Sequence, residues 1–247
     1  MWAFGNGVTF KGMNYMAILE DIQKEVKEIF DTSWSRRDGY VVPEPEDVQL
    51  GNDAVCLDGT VLYADLAEST ALVKGHKDWF SAEVYKSYLV SACRLIRHND
   101  GVITAFDGDR VMAVFIGDSK NSSAAKTALM MNYVVTEVIN KSIKAKYPDS
   151  TFQIRQSVGV DTSKLFIVRT GIRGSNDLVW VGRAANYAAK LCSLRYSNYA
   201  SYITEDVFNM LSDETKNGGN PRQCMWEKVA WTDQGINAYR SHYWWKP

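Results

Sequence analysis

Thr60-Val61-Leu62-Tyr63-Ala64-Asp65-Leu66-Ala67-Glu68-Ser69-Thr70 decides the reading of this chain. Its first residues are apolar up to one carboxylate, which predicts a buried strand over Thr60–Asp65. Ser69 or Thr70 is then expected to cap a helical region that runs through Phe80 to His98. A carboxylate ending an apolar strand is costly to bury unless it is paired or binds a metal, so Asp65 is a candidate ligand.

Towards the C-terminus, Gly101 to Phe106 is strand-like. Phe106-Asp107-Gly108-Asp109 supplies a hairpin turn, and Val111 to Ile116 returns as a second strand. Asp109 is therefore a second carboxylate beside apolar strands. If the strands are neighbours, Asp65 and Asp109 reach one point. Two hard oxygen ligands plus phosphates are what Mg²⁺ or Mn²⁺ requires. Backbone N–H groups of the loop Leu66-Ala67-Glu68-Ser69-Thr70 are suited to a phosphate chain. Further on, Asn186 and Lys190 stand four residues apart and share one helix face. A polar pair there can position a ribose and stabilise developing charge.

Ser122 to Lys146 reads as a long helix stopped by Tyr147-Pro148. Phe152 to Val160 and Lys164 to Thr170 read as paired strands, Leu178 to Val181 as a short strand, and Ala184 to Leu194 as a helix. Upstream, Met16, Leu19, Ile22, Val26, Ile29 and Phe30 recur at helical steps within Met13 to Phe30. A loop with Arg36, Arg37, Gly39, Pro43 and Pro45 follows. Residues 1–55 read as an N-terminal helical extension and residues 56–247 as one further domain. The element order predicts an α+β sandwich, its sheet covered by helices on one face.

The bulk numbers exclude several classes. A net charge of -1 leaves no basic field for a nucleic acid polymer. Four cysteines without a C-x-x-C pair, and three histidines, make a zinc site unexpected. No apolar run is long enough for a membrane span and no signal-peptide pattern is visible, so a reduced cytoplasmic protein is expected.

Taken together, Val61 to Thr70, Phe106 to Phe115 and Gly182 to Lys190 resemble the class III adenylate and guanylate cyclase homology domain, from about Gly59 to about Leu211. The resemblance implies a ferredoxin-like class III nucleotide cyclase sandwich over residues 56–247, working as a head-to-tail homodimer with its active sites at the interface. It implies two Mn²⁺ or Mg²⁺ ions per site, held by Asp65, Asp109 and the Leu66 carbonyl. Asn186, orienting the ribose, and the basic Lys190 are implied to come from the second subunit. The implied reaction is attack of the ribose 3′ oxygen of a nucleoside triphosphate on the α-phosphate, releasing pyrophosphate. A Gly-Gly-Asp/Glu-Glu-Phe signature is absent, which separates the chain from diguanylate cyclases.

Three positions depart from the purine cyclases. Ala105 stands where they usually carry lysine, and Val179 where they carry aspartate, threonine or cysteine. Neither side chain offers a donor or acceptor to a purine edge. Lys190 replaces arginine, keeping charge but losing the bidentate fork. Tyr63 shares the strand face of Asp65 and narrows the base pocket, while Arg110 can donate to a carbonyl-rich base such as uracil. This combination resembles the bacterial Pycsar pyrimidine cyclases, which make cyclic UMP or cyclic CMP during phage infection. The expectation is a uridylate cyclase in antiphage signalling, read by an effector that senses the product without direct contact. The alternatives are a cytidylate cyclase, a purine cyclase with an atypical pocket, and an inactive nucleotide-binding dimer module. Lys228 is the candidate cation for the triphosphate tail, by position only.

Overall fold

The computed structural model describes residues 15–196 and 198–247. The helix expected from Met13 is seen as Tyr15–Asp31 (α1), Met13 lying outside the described residues. The apolar side chains Ile18, Leu19, Ile22, Val26, Ile29 and Phe30 are exposed on it. The Asn52 amide ties its end to the body, donating to the carbonyls of Ile29 at 2.8 Å and Thr32 at 2.6 Å. Ser35–Asp38 (β1), expected as loop, is a strand paired in parallel with the first residues of Asp53–Leu66 (β2). β2 begins seven residues before the expected start at Thr60.

Ser69–Gly75 (α2) and Asp78–His98 (α3) are two helices rather than one, interrupted by extended backbone at His76 and Lys77. Val102–Asp107 (β3) and Arg110–Phe115 (β4) form the expected hairpin, with Gly108 in the left-handed region at its tip. Lys120–Tyr133 (α4) runs through a π-helical stretch, Val134–Ile139, into Asn140–Lys146 (α5). Next comes Gln156–Ile172 (β5), one strand of 17 residues where a pair of strands was expected. Ser175–Val181 (β6) folds back on it, and Arg183–Cys192 (α6) follows. The chain closes with Ser201–Thr204 (β7), Glu205–Asn209 (α7), Asp213–Lys216 (α8), the two-residue strands Asn217–Gly218 (β8) and Gln223–Cys224 (β9), then Glu227–Trp231 (β10) and Ile236–Ser241 (β11).

The main sheet runs β10-β11-β7-β5-β2-β4-β3. Its heart is β2-α3-β3-β4-α4-β5 with strand order β5-β2-β4-β3 and antiparallel neighbours, the βαββαβ arrangement of a ferredoxin-like core. β2 is apolar over most of its length because most of it is buried on both faces. Leu62, Ala64 and Leu66 pack in the cluster with α3 and α4, while Val61 joins Met112, Val114 and Leu165 under α6. Helices therefore cover both faces, correcting the one-sided arrangement expected from element order.

α6 reaches the second face because β5 has glycine beneath it. A Cβ at Gly159 would stand 2.1 Å from the Ala188 carbonyl oxygen and 2.4 Å from the Cys192 nitrogen. Both obstacles are backbone, so only helix displacement relieves the clash. Gly159→Ala is expected to lower unfolding free energy by about 1–3 kcal/mol in urea titration. No change would mean that α6 does not lie this close.

Candidate active site

Asp65 sits one residue before the end of β2, opposite Ser157 of β5. The β3–β4 turn brings Asp109 to the same end of the sheet, since Ala64 pairs with Val111. Alternation turns Asp65 to the face of Val61 and Tyr63, and Arg110 to that same face from β4. Arg110 Nη2 donates to Asp65 Oδ2 at 3.3 Å. Arg195, in the segment after α6, donates to the same oxygen at 2.9 Å. Asp65 is only 8% exposed, so the two guanidiniums balance a charge that burial disfavours.

Asp109 is left less satisfied. Its Oδ2 is buried with no hydrogen-bond partner among the described residues. Burial raises the carboxyl pKa, the Ser69 side chain opposes this, and the charge of Asp65 raises it further. An orphaned carboxylate oxygen beside a second carboxylate is the donor set of a hard divalent cation, so the residues present fit Mn²⁺ or Mg²⁺. The described residues hold no group of three or more His, Cys, Asp or Glu side chains suited to a metal. A metal held there would complete its shell with backbone, water or substrate oxygens.

Tyr63 and Arg110 stand beside the carboxylates. Burial raises the Tyr63 phenol pKa, opposed by the charge of Arg110. Burial works against the Arg110 charge, but Asp65 and its other neighbours together outweigh it, and the guanidinium titrates above its usual range. Ala105 is exposed on β3 opposite Met112, and Val179 is 41% exposed on β6 opposite Val168.

The loop after β2 differs from expectation. Glu68, with left-handed φ of 61°, is the residue before α2, and no side chain caps that helix. Ser69 and Thr70 lie in its first turn instead. Ala67 N–H is already used by the Arg155 carbonyl at 2.8 Å, and Glu68 pairs with Arg155 at 2.6 Å. The Leu66 side chain is buried in the core.

Three sequence candidates are not brought to the carboxylates within one chain. Asn186 is exposed on α6. Lys190 donates to Gln234 at 3.2 Å, and Lys228 pairs with Glu205 at 2.6 Å. Among the described residues none of the three bonds to Asp65 or Asp109. Conversely, sequence reading missed Arg195, 130 residues from its partner Asp65.

No protein-family model matches the chain. A uridylate cyclase of Xanthomonas perforans is 47% identical over 94% of this chain and 99% of its own. One from Burkholderia cepacia is 48% identical over 93% of this chain and 99% of its own. The chain belongs to the uridylate cyclase family. The fold agrees with solved cyclases. The adenylyl cyclase CyaB of P. aeruginosa superposes with TM-score 0.65 at 17% identity, over 76% of this chain and 95% of its own. The guanylyl cyclase Cya2 gives TM-score 0.63 at 17% identity, over 78% and 95%.

This nucleotide cyclase also carries a buried thiol at the site. Cys192 Sγ donates to the Ser157 carbonyl at 3.1 Å, and burial pushes its pKa up to about 12. A thiol held neutral reacts slowly. At pH 8 in the folded protein, the exposed Cys224 is expected to be alkylated first and Cys192 only on unfolding, as read by mass spectrometry. Equal rates would contradict the packing of α6.

Proposed function

We propose that this cyclase converts UTP to 3′,5′-cyclic UMP and pyrophosphate as a cytoplasmic homodimer with a site at each end of its interface, and that the product signals in bacterial antiphage defence. An effector would read the diffusible cyclic nucleotide without touching the enzyme. The observation that carries this reading is the division of the site. Asp65 and Asp109 converge beside Tyr63 and Arg110, whereas among the described residues Asn186 and Lys190 make no bond to those carboxylates within one chain, and a second copy would supply them. The names of the relatives support uracil as the base.

In this reading Asp65, Asp109 and the Leu66 carbonyl hold two Mn²⁺ or Mg²⁺ ions. When bound, the ions lower the pKa of the ribose 3′ hydroxyl and neutralise the leaving pyrophosphate. Asn186 of one subunit orients the ribose over the carboxylates of the other, and Lys190 places a positive charge beside the α-phosphate. The 3′ oxygen gives up its proton to solvent water, bonds to the α-phosphorus and displaces pyrophosphate. Arg110 presents N–H donors to a uracil carbonyl, and Tyr63 leaves a pocket narrower than a purine needs. Ala105 and Val179 offer a purine edge nothing to bond.

A complementation experiment tests the shared site. Asp65→Asn and Asn186→Ala chains, each inactive alone, are co-expressed with different tags and purified through both. Every such heterodimer carries one intact site, so about half of wild-type cyclic UMP formation is expected. Inactive heterodimers would overturn the head-to-tail reading.

A further inference from the structure

Asp65 is tied to the end of α6 by a closed ring of hydrogen bonds, and Arg195 is the member that reaches both ways. Its Nη2 donates to Asp65 Oδ2 at 2.9 Å. Its Nη1 donates to the carbonyl of Cys192, the last residue of α6, and to the Leu194 carbonyl at 3.4 Å. Ser157, the partner of Asp65 on β5, closes the ring. Its carbonyl accepts from Cys192 Sγ at 3.1 Å, and its hydroxyl donates to the Leu194 carbonyl at 3.2 Å. Carbonyls at a helix end have no partners within the helix and carry its negative pole, so a cation is favoured there. A planar guanidinium can serve those carbonyls and a carboxylate together, whereas an ammonium is a point charge without the fork.

We propose that Arg195 is a positioning residue for two active sites at once, fixing Asp65 in one and, through α6, Lys190 and Asn186 in the other. The inference rests on the shared-site reading above, in which the carboxylates of one subunit work with α6 of its partner. Lys190 lies in the last turn of α6, two residues before Cys192, so the tether acts where that side chain is set. α6 has ten residues, about 15 Å of helix, and moves as one piece. Its first residue, Arg183, is anchored on Asp161, and Arg195 anchors the other end. Loosening that end tilts Lys190 and Asn186 together, and a shift of about 1 Å in a positioning group can cost on the order of 10²-fold in rate. Arg110 does not share this role, because among the described residues its side chain bonds only to Asp65.

The test uses the doubly tagged heterodimer of Asp65→Asn and Asn186→Ala chains, with Arg195→Gln added to the Asp65→Asn chain. That chain gives the one intact site only its α6, so an Arg195 acting through Asp65 alone would leave the rate as it was. The expected kcat at saturating Mn²⁺ and UTP is about tenfold below that of the parent heterodimer. In the full-length Arg195→Gln homodimer without metal or nucleotide, the α6 amides are expected to exchange hydrogen about tenfold faster than in wild type, the factor that one charge-assisted hydrogen bond supports. Unchanged kcat or unchanged exchange would overturn the proposal. Arg195→Lys keeps the charge without the fork and is expected to lose as much. It decides by the same two measurements if Arg195→Gln does not fold. An inactive parent heterodimer overturns the shared-site reading and the inference with it, whereas an active parent unaffected by Arg195→Gln overturns the inference alone.

Discussion

Asp65→Asn is expected to reduce cyclic nucleotide formation by roughly 10³-fold or more, because a bound cation contributes several kcal/mol to such a reaction and each 1.36 kcal/mol is tenfold. The amide keeps the shape of the carboxylate and still offers an oxygen to Arg110 and Arg195, so the fold should survive. What disappears is the charge that would hold the metal. Asp109→Asn should cost as much activity by the same argument, since its orphaned Oδ2 is the other hard donor. Initial rates with Mn²⁺, alongside the thermal unfolding midpoint and the oligomeric state, separate lost chemistry from lost structure. Activity within tenfold of wild type for either variant would remove that carboxylate from the catalytic account.

The second large effect is on stability. Asp161 lies in the middle of β5 and is 0% exposed. It accepts hydrogen bonds from Thr204 at 2.5 Å and from Arg183 at 3.1 Å and 3.3 Å. Burial raises its carboxyl pKa, and the Thr204 hydroxyl and the Arg183 charge oppose that rise. Arg183 further donates to the Thr162 carbonyl at 2.7 Å and to Asp206 at 2.6 Å. Arg183→Met leaves a buried carboxylate without its cation, which costs about 3–5 kcal/mol in comparable cases. The lower end is expected here, because the Arg183 side chain is 42% exposed and water screens part of the pair. Urea unfolding measures it, and a loss below about 1 kcal/mol would contradict the network. Asp161→Asn added to Arg183→Met should restore part of the loss, since no buried charge then remains. Arg183 opens α6, so the single variant should also loosen Asn186 and Lys190.

The parts of this molecule legible in the sequence are the local ones. An apolar run ending in Asp65, an Asp-Gly turn before Asp109, and the helix face of Asn186 and Lys190 each declare themselves within a few residues. Element order gave an α+β sandwich, and the ferredoxin-like core came from the family resemblance that these segments carry. The continuity of β5 was hidden because Asp161, Thr162 and Ser163 look like a polar break. In the fold they lie opposite Val61, Thr60 and Gly59 of β2. Thr162 bonds Thr60 at 3.0 Å and the Gly59 carbonyl at 3.3 Å, and Asp161 has Arg183. β1 was hidden because its Ser-Arg-Arg-Asp sequence is exposed and polar, and only its partner strand makes it a strand. The position of α6 on the opposite face depends on Gly159, whose role appears only when the helix lies across it. Arg195 carries no periodic or turn signal, and its importance arises from meeting Asp65 in space.

The proposed base pocket carries the choice of substrate. Tyr63 and Arg110 share the face of Asp65, and neither Ala105 nor Val179 supplies a polar atom. The most direct measurement is therefore of substrate choice. The purified protein is incubated with Mn²⁺ and an equimolar mixture of UTP, CTP, ATP and GTP, and the cyclic products are identified by mass spectrometry. The account expects 3′,5′-cyclic UMP as the main product, absent with Asp65→Asn. Cyclic AMP or cyclic GMP as the only product would contradict it.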